Sequence, residues 1–227
     1  MLDTAIPASP TTADEATVVV LPQTNQLRAM HAIIRDRNAA RADFVFHASR
    51  IIRLLVEEAL NHVRYVPHAV ETPSGGTYEG LRSASKLCGV SVIRAGESME
   101  AELRAVCPGI RIGKILIQRD KTTKQPRFYY ENLPADIGER QVLLLEPMLA
   151  TGGTALAATA LLLERGVREE DIVFVAFIAA PEGIAALHAR HPKVRIVTSA
   201  IEQRLNEHAY MLPGIGDFGD RFFGTTG

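Results

Sequence analysis

Nine consecutive residues, Glu146-Pro147-Met148-Leu149-Ala150-Thr151-Gly152-Gly153-Thr154, bring together a carboxylate, a glycine pair and flanking threonine hydroxyls. They follow the apolar run Val142-Leu143-Leu144-Leu145, which reads as a buried strand. The alanines and leucines from Ala155 to Leu163 read as a helix. A loop of this composition can turn its backbone N–H groups around an anion, and the helix N-terminus adds favourable partial charge. The leading carboxylate suits vicinal hydroxyls or a metal-bound water, so a sugar phosphate is the natural guest. Two other phosphate loops do not describe these nine residues, which carry neither GxxxxGK[ST] nor the GxGxxG spacing. A bare Gly-Gly turn between strand and helix can also exist only because glycine tolerates positive φ.

Three further segments carry chemistry. Arg94-Ala95-Gly96-Glu97-Ser98 also follows a strand, and an arginine beside a small-residue turn suits a second anion such as a diphosphate. Arg119-Asp120-Lys121 closes another strand, where such a charged cluster commonly forms a solvated turn. The run Tyr210 to Arg221 holds Pro213, Gly214, Gly216 and Gly219. It is poor in bulky side chains, so its backbone can approach a flat ring closely.

The elements that must position these loops alternate. Gly89–Ile93, Ile112–Gln118, Phe128–Asn132, Val142–Leu145, Ile172–Ala180 and Val194–Thr198 read as strands. Glu97–Val106, Ala155–Arg165 and Gly183–Arg190 read as helices between them. This rhythm predicts an α/β fold with a mostly parallel sheet and helices on both faces. Ligands of such sheets bind beyond the carboxyl ends of the strands, where the motif loops lie. Before them, Thr17–Leu21 reads as a short strand and Gln26 to about Val63 mostly as helix. The stripe Ile51, Ile52, Leu55, Val56 and Ala59 there reads as core or subunit contact. Residues 66–80 are turn-rich and predict a β-arm. Residues 1–17 read as a flexible leader, and 18–227 as one domain.

A chain of 227 residues that is 47% hydrophobic and 22% charged fits one sizeable globular domain. A net charge of −1 offers no global field for nucleic acid or anionic lipid, so neither is an expected partner. No apolar run approaches the roughly 20 residues of a membrane span. The N-terminus lacks the basic and apolar segments of a secretory signal. Cys88 and Cys107 alone make no disulfide framework and no metal-ligand spacing, and read as small hydrophobes in a cytoplasmic setting.

The nine-residue loop resembles the phosphoribosyl pyrophosphate signature of type I phosphoribosyltransferases, and its Pro-Met-Leu-Ala portion resembles the uracil branch. Gly89 to Glu100, Ala179 to Ile184, Leu205 to His208 and Pro213 to Arg221 extend that resemblance from roughly Leu81 to the C-terminus. The resemblance implies transfer of a phosphoribosyl group to uracil, giving UMP and diphosphate. By the same resemblance Arg94 and Arg119 hold the diphosphate, and Glu146 to Thr154 bind the ribose hydroxyls and 5′-phosphate. Met211, Gly216, Asp217 and Phe218 contact uracil, and Asp217 also faces the donor. Main-chain groups can match the acceptor–donor–acceptor edge of uracil and reject cytosine. Mg²⁺ is the implied cofactor, carried by the diphosphate and water without direct protein ligands. No covalent nucleophile is needed, and His208 reads as structural.

One position departs from the family's pattern. The signature normally opens with aspartate, and here it opens with Glu146. A shifted carboxylate can lower turnover or donor affinity, which leaves a second reading: a homologue that binds the donor or a nucleotide without catalysis and acts as a regulator. The resemblance also implies a homo-oligomer, dimer or tetramer, and a possible GTP effector.

Overall fold

Alternate residues of the run Val142 to Leu145 belong to two different hydrophobic cores. Leu143 and Leu145 pack into one, Val142 and Leu144 into the other, and all four are fully buried. A strand covered on both faces needs apolar side chains on both, which is why no polar alternation marks it. The computed structural model describes residues 17–119 and 126–225.

The chain opens with β1 (Val18–Val20), α1 (Asn25–Arg35) and α2 (Arg41–Leu60). The Thr24 hydroxyl caps α1 by accepting from the Leu27 N–H at 3.2 Å. Ile51, Ile52, Leu55, Val56 and Ala59 of α2 are fully buried in this chain's own core, so the stripe is core. Burial of each larger member contributes about 2 kcal/mol, which outweighs the modest helix propensity of the β-branched ones. An antiparallel hairpin, β2 (Tyr65–Glu71) and β3 (Thr77–Ser83), forms the expected arm.

The α/β body follows: β4 (Lys86–Ile93), α3 (Glu100–Val106), β5 (Arg111–Arg119), β6 (Pro126–Asn132) and β7 (Arg140–Leu145). Next come β8 (Met148–Leu149), α4 (Gly153–Glu164), β9 (Ile172–Ala176), β10 (Ile178–Ala179), α5 (Pro181–Arg190) and β11 (Arg195–Thr198). The chain ends with the short pair β12 (Arg204–Leu205) and β13 (Met211–Leu212), then α6 (Phe218–Phe223). The main sheet has the order β1-β11-β9-β7-β4-β5-β6. All its neighbours are parallel except β5 and β6. No helix among the described residues is long and apolar enough to cross a membrane.

Three readings are corrected by these elements. Ile172–Ala180 is not one strand, because the Phe177 and Ile178 N–H groups both donate to the Pro147 carbonyl, at 2.8 and 3.1 Å. That diverts the chain from the main sheet to pair β10 with β8. The helix expected over Glu97–Val106 begins as a 3-10 turn, Ala95–Met99, before α3. The Gly-rich C-terminal run, read as loop, contains α6, capped where Asp217 Oδ1 accepts from the Asp220 N–H at 2.9 Å.

The sheet order locates the ligand crevice. After β4 the chain moves outward to β5 and β6, then returns to β7 on the opposite side of β4. Strand order reverses between β4 and β7, and open α/β sheets bind ligands beyond the carboxyl ends of the strands at such a point. The loops leaving those two strands begin at Arg94 and Glu146.

Candidate functional site

The β4 loop is held tightly from below. Gly96 lies against the carbonyl of Leu145, so close that a Cβ there would overlap it. Glycine is therefore required where this loop meets the end of β7. Lys114 Nζ donates to Glu97 Oε1 at 2.5 Å and pairs with Glu100 at 3.3 Å, and these carboxylates hold its pKa above the usual lysine value. The Ser91 hydroxyl donates to Glu100 Oε1 at 2.6 Å. A loop anchored this way is preorganised for whatever it grips.

The β7 loop divides into supporting and presenting residues. Leu149 is buried and the Pro147 carbonyl is occupied by the strand switch, so both support the loop. Gly152 takes a left-handed φ of 81° immediately before α4. Gly153 and Thr154 thus open a 12-residue helix, with Gly152 as its N-cap and Thr151 just before it, and its first amides point toward the loop.

The C-terminal loop closes the crevice. A cavity of about 430 Å³ is lined by Ala95, Glu146, Met148 and Ala150 on one side and by Met211, Gly216, Asp217 and Phe218 on the other. The Phe218 ring itself is buried against Phe44, Phe177 and Phe222, so this residue offers the cavity mainly its backbone. Arg221 pins the loop to the rest of the protein. Its Nη1 donates to the carbonyls of Ile34 at 2.6 Å and Ile215 at 2.8 Å, and its Nη2 to that of Asp36 at 2.9 Å. The guanidinium lies 4.2 Å from the Phe44 ring centroid, and burial pulls its pKa below the usual arginine value.

Glu146, Met148, Ala150, Met211, Gly216, Asp217 and Phe218 therefore meet around one cavity. Arg94 starts at the same strand end but turns toward α6, donating to Asp220 at 2.6 Å and Thr225 at 2.7 Å. Those partners hold the Asp220 carboxyl below its usual pKa, Thr225 contributing most and Arg94 next. Pro147, Leu149 and Thr151 to Thr154 belong to the same loop without lining that cavity. Arg119 ends β5, but its side chain, like Asp120 and Lys121, lies outside the described residues.

Further residues line the cavity. His208, expected to be structural, is 72% exposed and lines the cavity. Ala209 beside it has φ 61°, a left-handed value uncommon for a residue with a Cβ. Both sit on the short excursion between β12 and β13, which no apolar pattern announces. Cys88 is buried, which raises its pKa to about 11, and burial also raises that of the partly covered Cys107. Neither is poised as a nucleophile.

Comparison with known proteins agrees with this geometry. The family model described as uracil phosphoribosyltransferase matches residues 20–225. The chain is 55% identical over 208 residues to the uracil phosphoribosyltransferase of Dictyostelium discoideum, covering 92% of this chain and 96% of that one. Among solved structures it is similar to the AQ2163 protein from Aquifex aeolicus, with TM-score 0.80 and 28% identity over 92% of this chain and 99% of that one. The adenine phosphoribosyl transferase of Trypanosoma brucei shares the fold at TM-score 0.56 and 12% identity, covering 85% of this chain and 87% of that one. The architecture is thus that of the type I phosphoribosyltransferases, a mostly parallel sheet with helices. A match running from the end of the first strand through the last helix makes this chain a member of the uracil phosphoribosyltransferase family.

Proposed function

We propose that the chain transfers the 5-phosphoribosyl group of 5-phospho-α-D-ribose 1-diphosphate to uracil, yielding UMP and diphosphate. The observation that carries this reading is the single cavity at the reversal of strand order. The acidic loop lines one side of it and the glycine-rich loop before α6 the other. A donor with a charged, hydroxyl-rich body and a flat acceptor base fit the two sides.

The bond from the anomeric carbon to the diphosphate breaks as the bond to the uracil ring nitrogen forms, and the proton of that nitrogen passes to water or to the departing diphosphate. The protein's part is alignment and charge stabilisation. The first amides of α4, with Thr151 and Thr154, receive the 5′-phosphate. Glu146 addresses the ribose hydroxyls. Arg94 and Arg119 stabilise the negative charge that builds on the departing diphosphate. Backbone groups around Gly216 read the uracil edge, with Met211 and Phe218 as apolar support and Asp217 between base and donor.

Glu146 and Asp217 give the cavity hard oxygen donors, the type Mg²⁺ prefers. Among the described residues no group of three or more His, Cys, Asp or Glu could hold an ion alone. In this reading Glu146 and Asp217 would hold the water shell of a diphosphate-bound Mg²⁺, which would supply charge neutralisation on the leaving group. The free cysteines support a reducing, cytoplasmic setting.

A second copy of the chain is proposed to cover the β2–β3 arm. Tyr78 and Leu81 there are 56% and 64% exposed, and an isolated two-stranded sheet is marginal in water. Light scattering on the wild-type chain and on Leu81→Asp should show a dimer or larger assembly that the substitution dissociates. The activity is tested by diphosphate release with uracil, cytosine, hypoxanthine and orotate, run with and without GTP to examine that effector. UMP from uracil alone is expected. Donor binding without turnover of any base would favour a regulatory homologue.

A further inference from the structure

We propose that Asp220 and Thr225 are positioning residues for Arg94, so that the C-terminal helix sets the grip on the departing diphosphate. The inference rests on the phosphoribosyl-transfer reading above.

The three side chains form a closed triangle. Arg94 Nη2 donates to Asp220 Oδ1 at 2.6 Å, and Nη1 donates to Thr225 Oγ at 2.7 Å. The Thr225 hydroxyl hydrogen goes to Asp220 Oδ1 at 2.5 Å, which leaves its oxygen free to accept from Arg94. The Phe223 ring lies 5.9 Å from the guanidinium carbon. A guanidinium has five N–H donors, so one bond to Asp220 of α6 and one to Thr225, two residues beyond it, leave three for an anion. Without those partners, a side chain 45% exposed has no fixed orientation.

The same helix also touches the nucleobase side. Asp217 lines the cavity and accepts from the N–H of Asp220, three residues on. One short element therefore carries a cavity carboxylate at its cap and the Arg94 clamp one turn later. The pair is too exposed to matter much for stability, since ion pairs of this kind contribute little. A carboxylate near a diphosphate site opposes anion binding unless it acts through a cation. Positioning and simple repulsion consequently predict opposite signs when that charge is removed.

The experiment uses the full chain and compares wild type with Asp220→Asn, Thr225→Val, Thr225→Ser, Arg94→Gln and the Arg94→Gln/Asp220→Asn double variant. Initial rates give KM for donor and for uracil, and calorimetry gives diphosphate affinity independently of turnover. Asp220→Asn should raise the donor KM about tenfold and weaken diphosphate binding equally, with uracil KM and melting temperature nearly unchanged. Thr225→Val should act in the same direction, and Thr225→Ser should behave as wild type. The double variant should be no worse than Arg94→Gln, because Asp220 acts only through Arg94. Unchanged or tighter diphosphate binding by Asp220→Asn, or additive effects in the double variant, would overturn the proposal. If Asp220→Asn does not fold, Thr225→Val against Thr225→Ser decides it. Failure of the wild type to make UMP would instead refute the parent reading, and the calorimetric comparison still decides this one.

Discussion

The Glu202 carboxylate accepts from the Gly214 N–H at 2.8 Å, while the Arg35 it is paired with donates to the Gly214 carbonyl at 3.1 Å. Arg35 and Glu202 meet at 2.6 Å, and the Glu202 side chain is 1% exposed. The pair, buried on its Glu202 side, thereby fixes Gly214 and ties the glycine-rich loop before α6 to the last turn of α1. Removing the carboxylate strands both Arg35 and the Gly214 N–H. Glu202→Ala should therefore lose about 3 kcal/mol of unfolding free energy, as breaking one partner of a buried pair does. It should also raise uracil KM more than donor KM, whereas Glu202→Gln, which keeps an acceptor for Gly214, should do less. Urea unfolding and two-substrate kinetics check both parts, and equal changes in the two KM values would contradict them.

Gly96 is where the loop after β4 meets the end of β7 at the strand reversal. A methyl group there would run into the Leu145 carbonyl, which is backbone and cannot rotate away. Gly96→Ala should lower stability by about 1–3 kcal/mol through overpacking. Because the displaced loop begins with Arg94, donor KM should rise while uracil KM changes less. A chain with wild-type stability and wild-type donor KM would show that the loop and the strand end tolerate separation.

Much of this arrangement is legible in sequence because its parts are contiguous. Val142 to Leu145 announces a doubly covered strand, and Glu146 to Thr154 spells out the turn into α4 behind it. The hairpin too is announced, by the turn residues around Gly75 and Gly76. What is not legible is set by distant partners. Arg35 and Glu202 are 167 positions apart, so nothing local marks Glu202 as buried or Arg35 as its counter-ion. Helix α6 is only six residues long and follows a Gly- and Pro-rich run. It is held by the Asp217 cap and by the Phe218 ring packing on Phe44 and Phe177, contacts no periodicity reveals. The break in the strand expected over Ile172–Ala180 likewise depends on the Pro147 carbonyl from another loop.

Glu146 opens the loop after β7, and its backbone N–H is fixed to the β9 end by donating to the Val175 carbonyl at 3.2 Å. In the proposed mechanism the site needs a negative charge at this position more than a particular chain length. Glu146→Gln should lower kcat/KM for the donor by about a hundredfold, and Glu146→Asp should stay within about tenfold of wild type. Steady-state kinetics at saturating uracil measure both. Full activity in Glu146→Gln would remove the carboxylate from the mechanism.

The last prediction concerns pH and a buried histidine of α1. His31 is buried, and its Nε2 lies 3.0 Å from the Ser199 hydroxyl, whose own hydrogen is donated to the Phe177 carbonyl at 2.5 Å. Nε2 must therefore carry the ring hydrogen, and Nδ1 finds no hydrogen-bond partner among the described residues. Burial first, and then nearby Arg35, lower the His31 pKa from 6.5 to about 4, although Glu202 pulls the other way. The unfolded chain thus binds a proton near pH 6.5 that the folded chain refuses until about pH 4. Between those values the unfolded state holds more protons, so stability falls as the pH is lowered, by at most about 3 kcal/mol. The contribution is fully present above pH 6.5. His31→Gln, which can still donate to Ser199 but does not titrate, should flatten the stability profile across that window. Urea midpoints for both chains at about pH 7 and about pH 5 measure it. Parallel acid limbs would show that His31 is not the group responsible.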